Sequence, residues 1–222
     1  MAPCPTEYVV LDILGGVRDV EEQPSGDAPC WAHLEERLLY ERIRKDVAER
    51  VPVDDRERES MALFLEHFDR LISPFDEESS PVHVTGSAVV VGPRGVVLHR
   101  HRRLGTWIQP GGHIDDGETP WEAARREAQE ETGLPVRFAD LDGGRDRRGP
   151  ALLHVDVHPG PRGHTHLDLR YLLESEDVQP NPAPGESDEV QWFAWGAAIE
   201  RTTAGLSGLL ASIRRGVSGD DQ

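Results

Sequence analysis

Between Gly111 and Leu134 the chain reads GGHIDDGETPWEAARREAQEETGL, which places seven carboxylates and two arginines in one short stretch. Thr119-Pro120-Trp121-Glu122 supplies a threonine N-cap, a proline at the first helical position and a glutamate at the third. Together they make a capping box, the start of a helix. Gly133 stands where a left-handed residue closes a helix, and Leu134 can return an apolar contact to the last turn. Glu127, Glu130 and Glu131 then fall at i, i+3 and i+4 and project from one face. Trp121, Ala124 and Ala128 form another face, whose alanines permit close approach to a sheet. Like charges at this spacing repel by about 0.2–0.5 kcal/mol per pair in an isolated helix, and Arg126 alone does not neutralise three of them. Oxygen ligands on a rigid element suit Mg2+ or Mn2+, and Mg2+ combines a few carboxylates with waters and substrate phosphates. A solvated acidic face is the plain alternative for such a charge run.

The spacing carries more than charge. Gly112, five residues, Glu118, seven residues, then Arg126-Glu127-Ala128-Gln129-Glu130-Glu131-Thr132-Gly133-Leu134 resembles the Nudix box in every fixed position. With the flanking strands the resemblance covers residues 83 to about 200 and leaves the first 80 outside it. It implies an α/β fold, the α/β/α sandwich with a mixed sheet of the Nudix hydrolases. It also implies metal-dependent hydrolysis of a diphosphate linkage in a nucleoside diphosphate attached to another group, with Mg2+ or Mn2+ as cofactor. Carried onto this chain, it makes Glu127, Glu130 and Glu131 the metal ligands, the Gly111 carbonyl a further oxygen, and Arg126 the residue that orients a glutamate. Glu127 is the first candidate for the general base. The base can instead come from a later loop, ESED at 174–177 or ESDE at 186–189, although a solvated turn is the ordinary reading of each.

Two other functions compete with hydrolysis. Isopentenyl-diphosphate isomerases are similar to Nudix proteins but carry Cys-Gly-His where this chain has Gly111-Gly112-His113, and a glycine cannot replace that cysteine. Some Nudix-like domains are nucleotide sensors with eroded boxes, whereas this box is complete.

Seven of the ten histidines, His99, His101, His113, His154, His158, His164 and His166, lie in the same region. Strand alternation puts His154, Asp156 and His158 on one face, and likewise His164, His166, Asp168 and Arg170. Such a ladder can line a substrate cavity, with His113, His166, Asp168 and Arg170 gripping phosphate, ribose or sugar. Equally, it can be the wet face of a sheet whose Leu153, Val155, Leu167 and Leu169 face the core. The cluster HRHRR from His99 to Arg103 offers Arg100 and Arg102 as a clamp for a terminal phosphate, exposed strand-end arginines being the simpler reading.

The elements that must position these groups are legible as patterns. VHVTGSAVVVG and GVVLHRHRR read as two strands about the turn Gly92-Pro93-Arg94-Gly95, followed by strands in ALLHVDVH, THLDLRYLLE and EVQWFAW and a closing helix from Ala197 to about Ile213. Upstream, Leu34, Leu38, Leu39, Ile43 and Val47 mark one amphipathic helix between Trp31 and about Val51. Met61, Phe64, Leu65, Phe68, Leu71 and Ile72 mark a second, entered at Asp54-Asp55 and stopped by Ser73-Pro74. The organisation expected is a loosely ordered segment at 1–30 that includes the apolar piece Tyr8 to Leu14, a helical extension at 31–80, the Nudix domain at 81–215 and a disordered tail at 216–222. The apolar stripes of the extension must be covered, by the domain or in a homodimer, and the oligomeric state stays open.

A net charge of −17 argues against a nucleic acid polymer as partner, because phosphate binding depends on Lys and Arg. A small nucleotide-type substrate remains open through bridging metal ions. No apolar run of membrane-spanning length and no signal-type N-terminus occur, and Cys4 and Cys30 give neither a disulfide framework nor a CxxC pair. No membrane partner and a cytoplasmic location are the expectations.

Overall fold

The computed structural model describes residues 30–141 and 149–219. The expectations for Tyr8 to Leu14 and for residues 1–29 fall outside this range. The chain divides into two compact units, Met1–Ile43 and Arg44–Gln222, and no described helix is long and apolar enough to cross a membrane. Helix α1 (Cys30–Ala48) runs through the boundary between the units. In the first unit, Arg37 and Glu41 pair along it at 3.3 Å.

The second unit starts before the domain boundary expected at residue 81. Helix α2 (Asp55–Phe68) is entered at Asp54, whose backbone is extended and whose side chain accepts the Glu57 N–H at 2.9 Å. It packs on strand β6 (His154–Pro159) with Phe64 and Phe68 buried, their rings 5.2 Å apart. Glu57 is wholly buried and accepts from the main-chain N–H groups of Val53 and Val155 and from Arg50. A carboxylate fixed to a strand 98 residues away makes α2 part of the folded unit. The helix stops at Phe68, short of the Ser73-Pro74 stop expected, and Ile72 is 98% exposed instead of completing the stripe.

Strand β1 (Val82–Gly92) is central, parallel along its length to β7 (Thr165–Ser175) and antiparallel to β2 (Gly95–Arg100) through the Gly92–Gly95 turn. Gly95 takes φ +114 there, a value that favours glycine. The sheet is completed by β3 (Trp107–Ile108) and β8 (Val190–Phe193) on β2, β4 (Gly111–Gly112) on β1, and β5 (Val136–Phe138) and β6 on β7. One face of β1 carries helix α3 (Pro120–Thr132). Contact is close at Gly86, where an added Cβ would meet the Pro120 carbonyl at 2.1 Å. Val89 points to the opposite face, because strand side chains alternate. There it joins Val96, Leu98, Phe193, Leu206, Leu209 and Leu210 in a core covered by α4 (Trp195–Arg201) and α5 (Ala204–Gly219). The result is the mixed sheet between helical layers expected from sequence.

The single closing helix expected from Ala197 is in fact two. Thr202 is extended, bridges to Trp107 and donates its hydroxyl to the Trp107 carbonyl at 2.8 Å, which breaks the helix before Ala204. Helix α5 then continues to Gly219, four residues beyond the domain end placed at 215.

Candidate active site

The capping box of α3 is formed as its residues require. Thr119 accepts the Glu122 N–H, the Glu122 carboxylate accepts the Thr119 N–H at 2.9 Å, and Gly133 closes the helix at φ +67. The helix therefore starts and stops at fixed places, and its last turns are aimed at the segment Gly111–Gly112, held against Ser87 and Gly86 by β4 pairing. Both glycines are needed for closeness: a Cβ at Gly111 would lie 2.2 Å from that of Ser87, and one at Gly112 would lie 2.4 Å from the Glu127 carboxylate. The Gly111 N–H donates to Glu131 at 2.9 Å.

Arg126 holds the site from the middle. It donates two hydrogen bonds of 2.9 Å to Glu118, one of 2.7 Å to Glu127, a longer one of 3.4 Å to Glu130, and one of 2.9 Å to the His113 carbonyl. Glu127 and Glu131 are largely covered, whereas Glu130 is half exposed. Burial, with some help from Glu130 and Glu186, raises the Glu127 carboxyl above its usual range against the pull of Arg126. Burial pushes the Glu131 carboxyl up to about 8, with Glu127, Glu186 and Glu130 adding to the rise. Converging carboxylates that resist ionisation in a metal-free protein are a site that a divalent cation would stabilise.

Of the residues singled out in sequence, Gly111, Arg126, Glu127, Glu130 and Glu131 meet here. Arg100 and Arg102 do not stand beside them as a free clamp: Arg100 pairs with Glu189 at 3.0 Å, and Arg102 donates to the main-chain oxygen of Glu186. Both hold the 186–189 loop. Asp168 and Arg170 do not stand open to a ligand as the ladder reading expects: both are 2% exposed and held by protein partners. Arg170 donates to Asp168 at 2.9 Å, Asp156 at 2.7 Å and the Gly205 carbonyl at 2.8 Å, and Asp168 accepts the hydroxyls of Thr85 and Ser87. Every charge in this network is answered by protein, as buried charges must be, and it ties the sheet to α5. His113 and His166 belong to a separate histidine cluster.

Glu118 and His99 had no role assigned from sequence, whereas Glu186 lies in the ESDE loop offered there as a source of the general base. Glu118 receives both bonds from Arg126; it occupies a fixed position of the box, which was the signal for it. His99 is buried with Nδ1 3.5 Å from Glu131, and burial lowers its pKa to about 4, so it is neutral there. Glu186 comes from the ESDE loop and adds negative charge at Glu127 and Glu131. The competing ESED loop is engaged elsewhere, Glu174 with Arg137 at 2.5 Å and Asp177 with Arg94 at 2.6 Å.

A sheet of this order with a capped acidic helix against a glycine pair defines a Nudix-type fold and site. Residues 81–212 match the NUDIX domain, and the chain belongs to the NUDIX family. An RNA pyrophosphohydrolase of Erythrobacter litoralis is 52% identical over 70 residues, covering 30% of this chain and 43% of that protein. This chain thus spans less than half of that relative's length. A CMP-5'-(N-acetyl-N-hydroxy-3-aminopropyl)phosphonate hydrolase of Streptomyces rubellomurinus is 31% identical over 150 residues, covering 61% of this chain and 67% of the relative. The crystal structure of a NUDIX-family hydrolase from Clostridium perfringens is 25% identical with a TM-score of 0.47, covering 59% of this chain and 97% of the other.

Proposed function

We propose that the protein is a divalent-metal-dependent pyrophosphohydrolase that cleaves a diphosphate linkage in a small nucleotide-type substrate, with Mg2+ or Mn2+ as the metal. The observation that carries this reading is the grouping of the three glutamates of α3: Glu131 and Glu127 lie against Gly111 and Gly112, and Arg126 holds Glu127 and Glu130 together. An all-oxygen donor set of carboxylates fits a hard cation. The bare backbone at Gly112, where any Cβ would displace Glu127, fits a site that must keep this carboxylate in place. Glu127, Glu130 and Glu131 would hold the ion, with the Gly111 carbonyl as a further oxygen. Once bound, such an ion supplies positive charge at the diphosphate oxygens and acidifies the attacking water.

The remaining steps fall to the chain. Arg126 fixes the rotamers of Glu127 and Glu130 and ties them to the main chain at His113. Glu186 takes the proton from the attacking water in this reading, in preference to Glu127, one of whose oxygens is already engaged by Arg126. His99 keeps the floor beneath Glu131 uncharged. The two relatives, an RNA pyrophosphohydrolase and a hydrolase of a CMP-linked phosphonate, favour a nucleotidyl group on one side of the scissile bond. The test is a panel of nucleoside triphosphates, nucleotide sugars, ADP-ribose, dinucleoside polyphosphates and prenyl diphosphates with Mg2+, products identified by mass. Cleavage between two phosphorus atoms of a nucleotide supports the reading. Turnover of a prenyl diphosphate alone, or turnover that survives chelation, would overturn it.

A further inference from the structure

A second set of metal-type ligands lies on the other face of the sheet. His83 and His166 are register partners on β1 and β7, and by alternation they point away from the α3 face. The His113 side chain joins them from the segment after β4. The three imidazole rings form a near-regular triangle, with centroid separations of 5.1, 5.2 and 5.4 Å. One ring nitrogen of each lies within 4.8 Å of those of the other two. Nε2 of all three is buried and has no hydrogen-bond partner, although His83 is itself 0% exposed. A buried polar atom left unpaired is costly, and three in one ring cluster are not explained by packing.

Two of the opposite ring nitrogens are anchored as those of metal ligands usually are. Nδ1 of His83 lies 3.0 Å from the Ser80 carbonyl, which fixes the proton on Nδ1 and leaves the Nε2 lone pair facing inward. Nδ1 of His113 lies 3.0 Å from the Glu77 carboxylate, a carboxylate–histidine arrangement of the kind that orients ligands. Three convergent imidazoles select a borderline ion such as Zn2+ over Mg2+. Tetrahedral ligation at about 2.0–2.1 Å needs nitrogen separations of roughly 3.4 Å, a contraction that small rotations of the three rings supply.

We propose that His83, His113 and His166 bind one Zn2+-class ion at a structural site separate from the carboxylate site. Its effect on the carboxylate site runs through one residue. The side chain of His113 enters the cluster while its carbonyl accepts from Arg126 at 2.9 Å, so an ion there clamps the segment that carries Gly111 and Gly112.

The experiment uses full-length protein stripped with a chelator and titrated with Zn2+ in excess Mg2+, followed by calorimetry and elemental analysis. One equivalent of Zn2+ per chain is expected in wild type and in Glu130→Gln, together with a rise in melting temperature. His83→Gln and His166→Gln should lose that equivalent, and Glu77→Gln should weaken it by about 10- to 100-fold, the usual effect of removing a carboxylate that orients a ligand. Should the histidine variants fail to fold, Co2+ substitution of wild type keeps the test open, with the visible bands of a tetrahedral nitrogen site expected. Absence of Zn2+ uptake by wild type, uptake that persists in a folded His166→Gln, uptake lost in Glu130→Gln, or wild-type Co2+ without tetrahedral bands would overturn the proposal.

Discussion

Replacing Glu131 by glutamine should stabilise the metal-free protein at alkaline pH. The carboxyl is 11% exposed, and its burial moves the pKa from 4.5 to about 8. The neutral form is therefore favoured in the fold: stability from this group is complete below pH 4.5 and is lost as the pH rises through 8. At about 1.4 kcal/mol per pH unit across that span, the ionised carboxylate costs on the order of 4 kcal/mol at pH 8. Glu131→Gln keeps an oxygen for the Gly111 N–H and carries no charge. In EDTA, thermal unfolding of variant and wild type should coincide near pH 4.5, with the variant melting higher at pH 8 by an amount on the order of 10 °C for a unit of this size. Saturating Mg2+ should then raise wild type and leave the variant nearly unmoved, because the cation recovers the cost only where the charge exists. A melting difference independent of pH, or a variant less stable than wild type at pH 8 in EDTA, would refute the argument.

Other expected outcomes rest on separate contacts. Gly112→Ala should leave the fold intact and lower turnover by orders of magnitude, since its Cβ would sit 2.4 Å from the Glu127 carboxylate; circular dichroism with steady-state kinetics checks it. Glu57→Ala should cost about 3–5 kcal/mol in denaturant unfolding, because it leaves Arg50 and two main-chain N–H groups without their buried partner. Deleting residues 1–43 should leave a folded, soluble unit, whereas deleting 1–80 also removes α2 with Phe64, Phe68 and Glu57 and should yield insoluble protein; soluble yield and size-exclusion profile decide between them.

What was legible in the sequence was local. The caps of α3 are set by Thr119, Pro120, Glu122 and Gly133, each acting within four residues, so both ends of the helix and the i, i+3, i+4 carboxylates could be placed without tertiary knowledge. The β1–β2 hairpin was likewise legible from alternation about Gly92-Pro93-Arg94-Gly95. Alternation names the face a side chain shares but not what covers that face. It therefore offers Asp168 and Arg170 either as cavity groups or as a wet sheet face, whereas both are buried and the Gly205 carbonyl of α5 accepts from Arg170. The two-residue strands β3 and β4 have no period to detect. The break at Thr202 depends on a carbonyl 95 residues away. ESED and ESDE are indistinguishable by composition; what separates them is tertiary, since Glu174 and Asp177 of the first pair with Arg137 and Arg94 while Glu186 of the second adds charge at Glu127 and Glu131.

The central claim is that the carboxylates of α3 hold the cation that hydrolyses a diphosphate. It is tested most directly by the single-turnover rate of cleavage of the best panel substrate against Mg2+ concentration, in wild type and Glu130→Gln at constant pH. The account predicts a saturable Mg2+ dependence in wild type, no cleavage in EDTA, and a rate lowered by orders of magnitude in a variant that remains folded. Equal rates and equal Mg2+ dependence in the two proteins would contradict it.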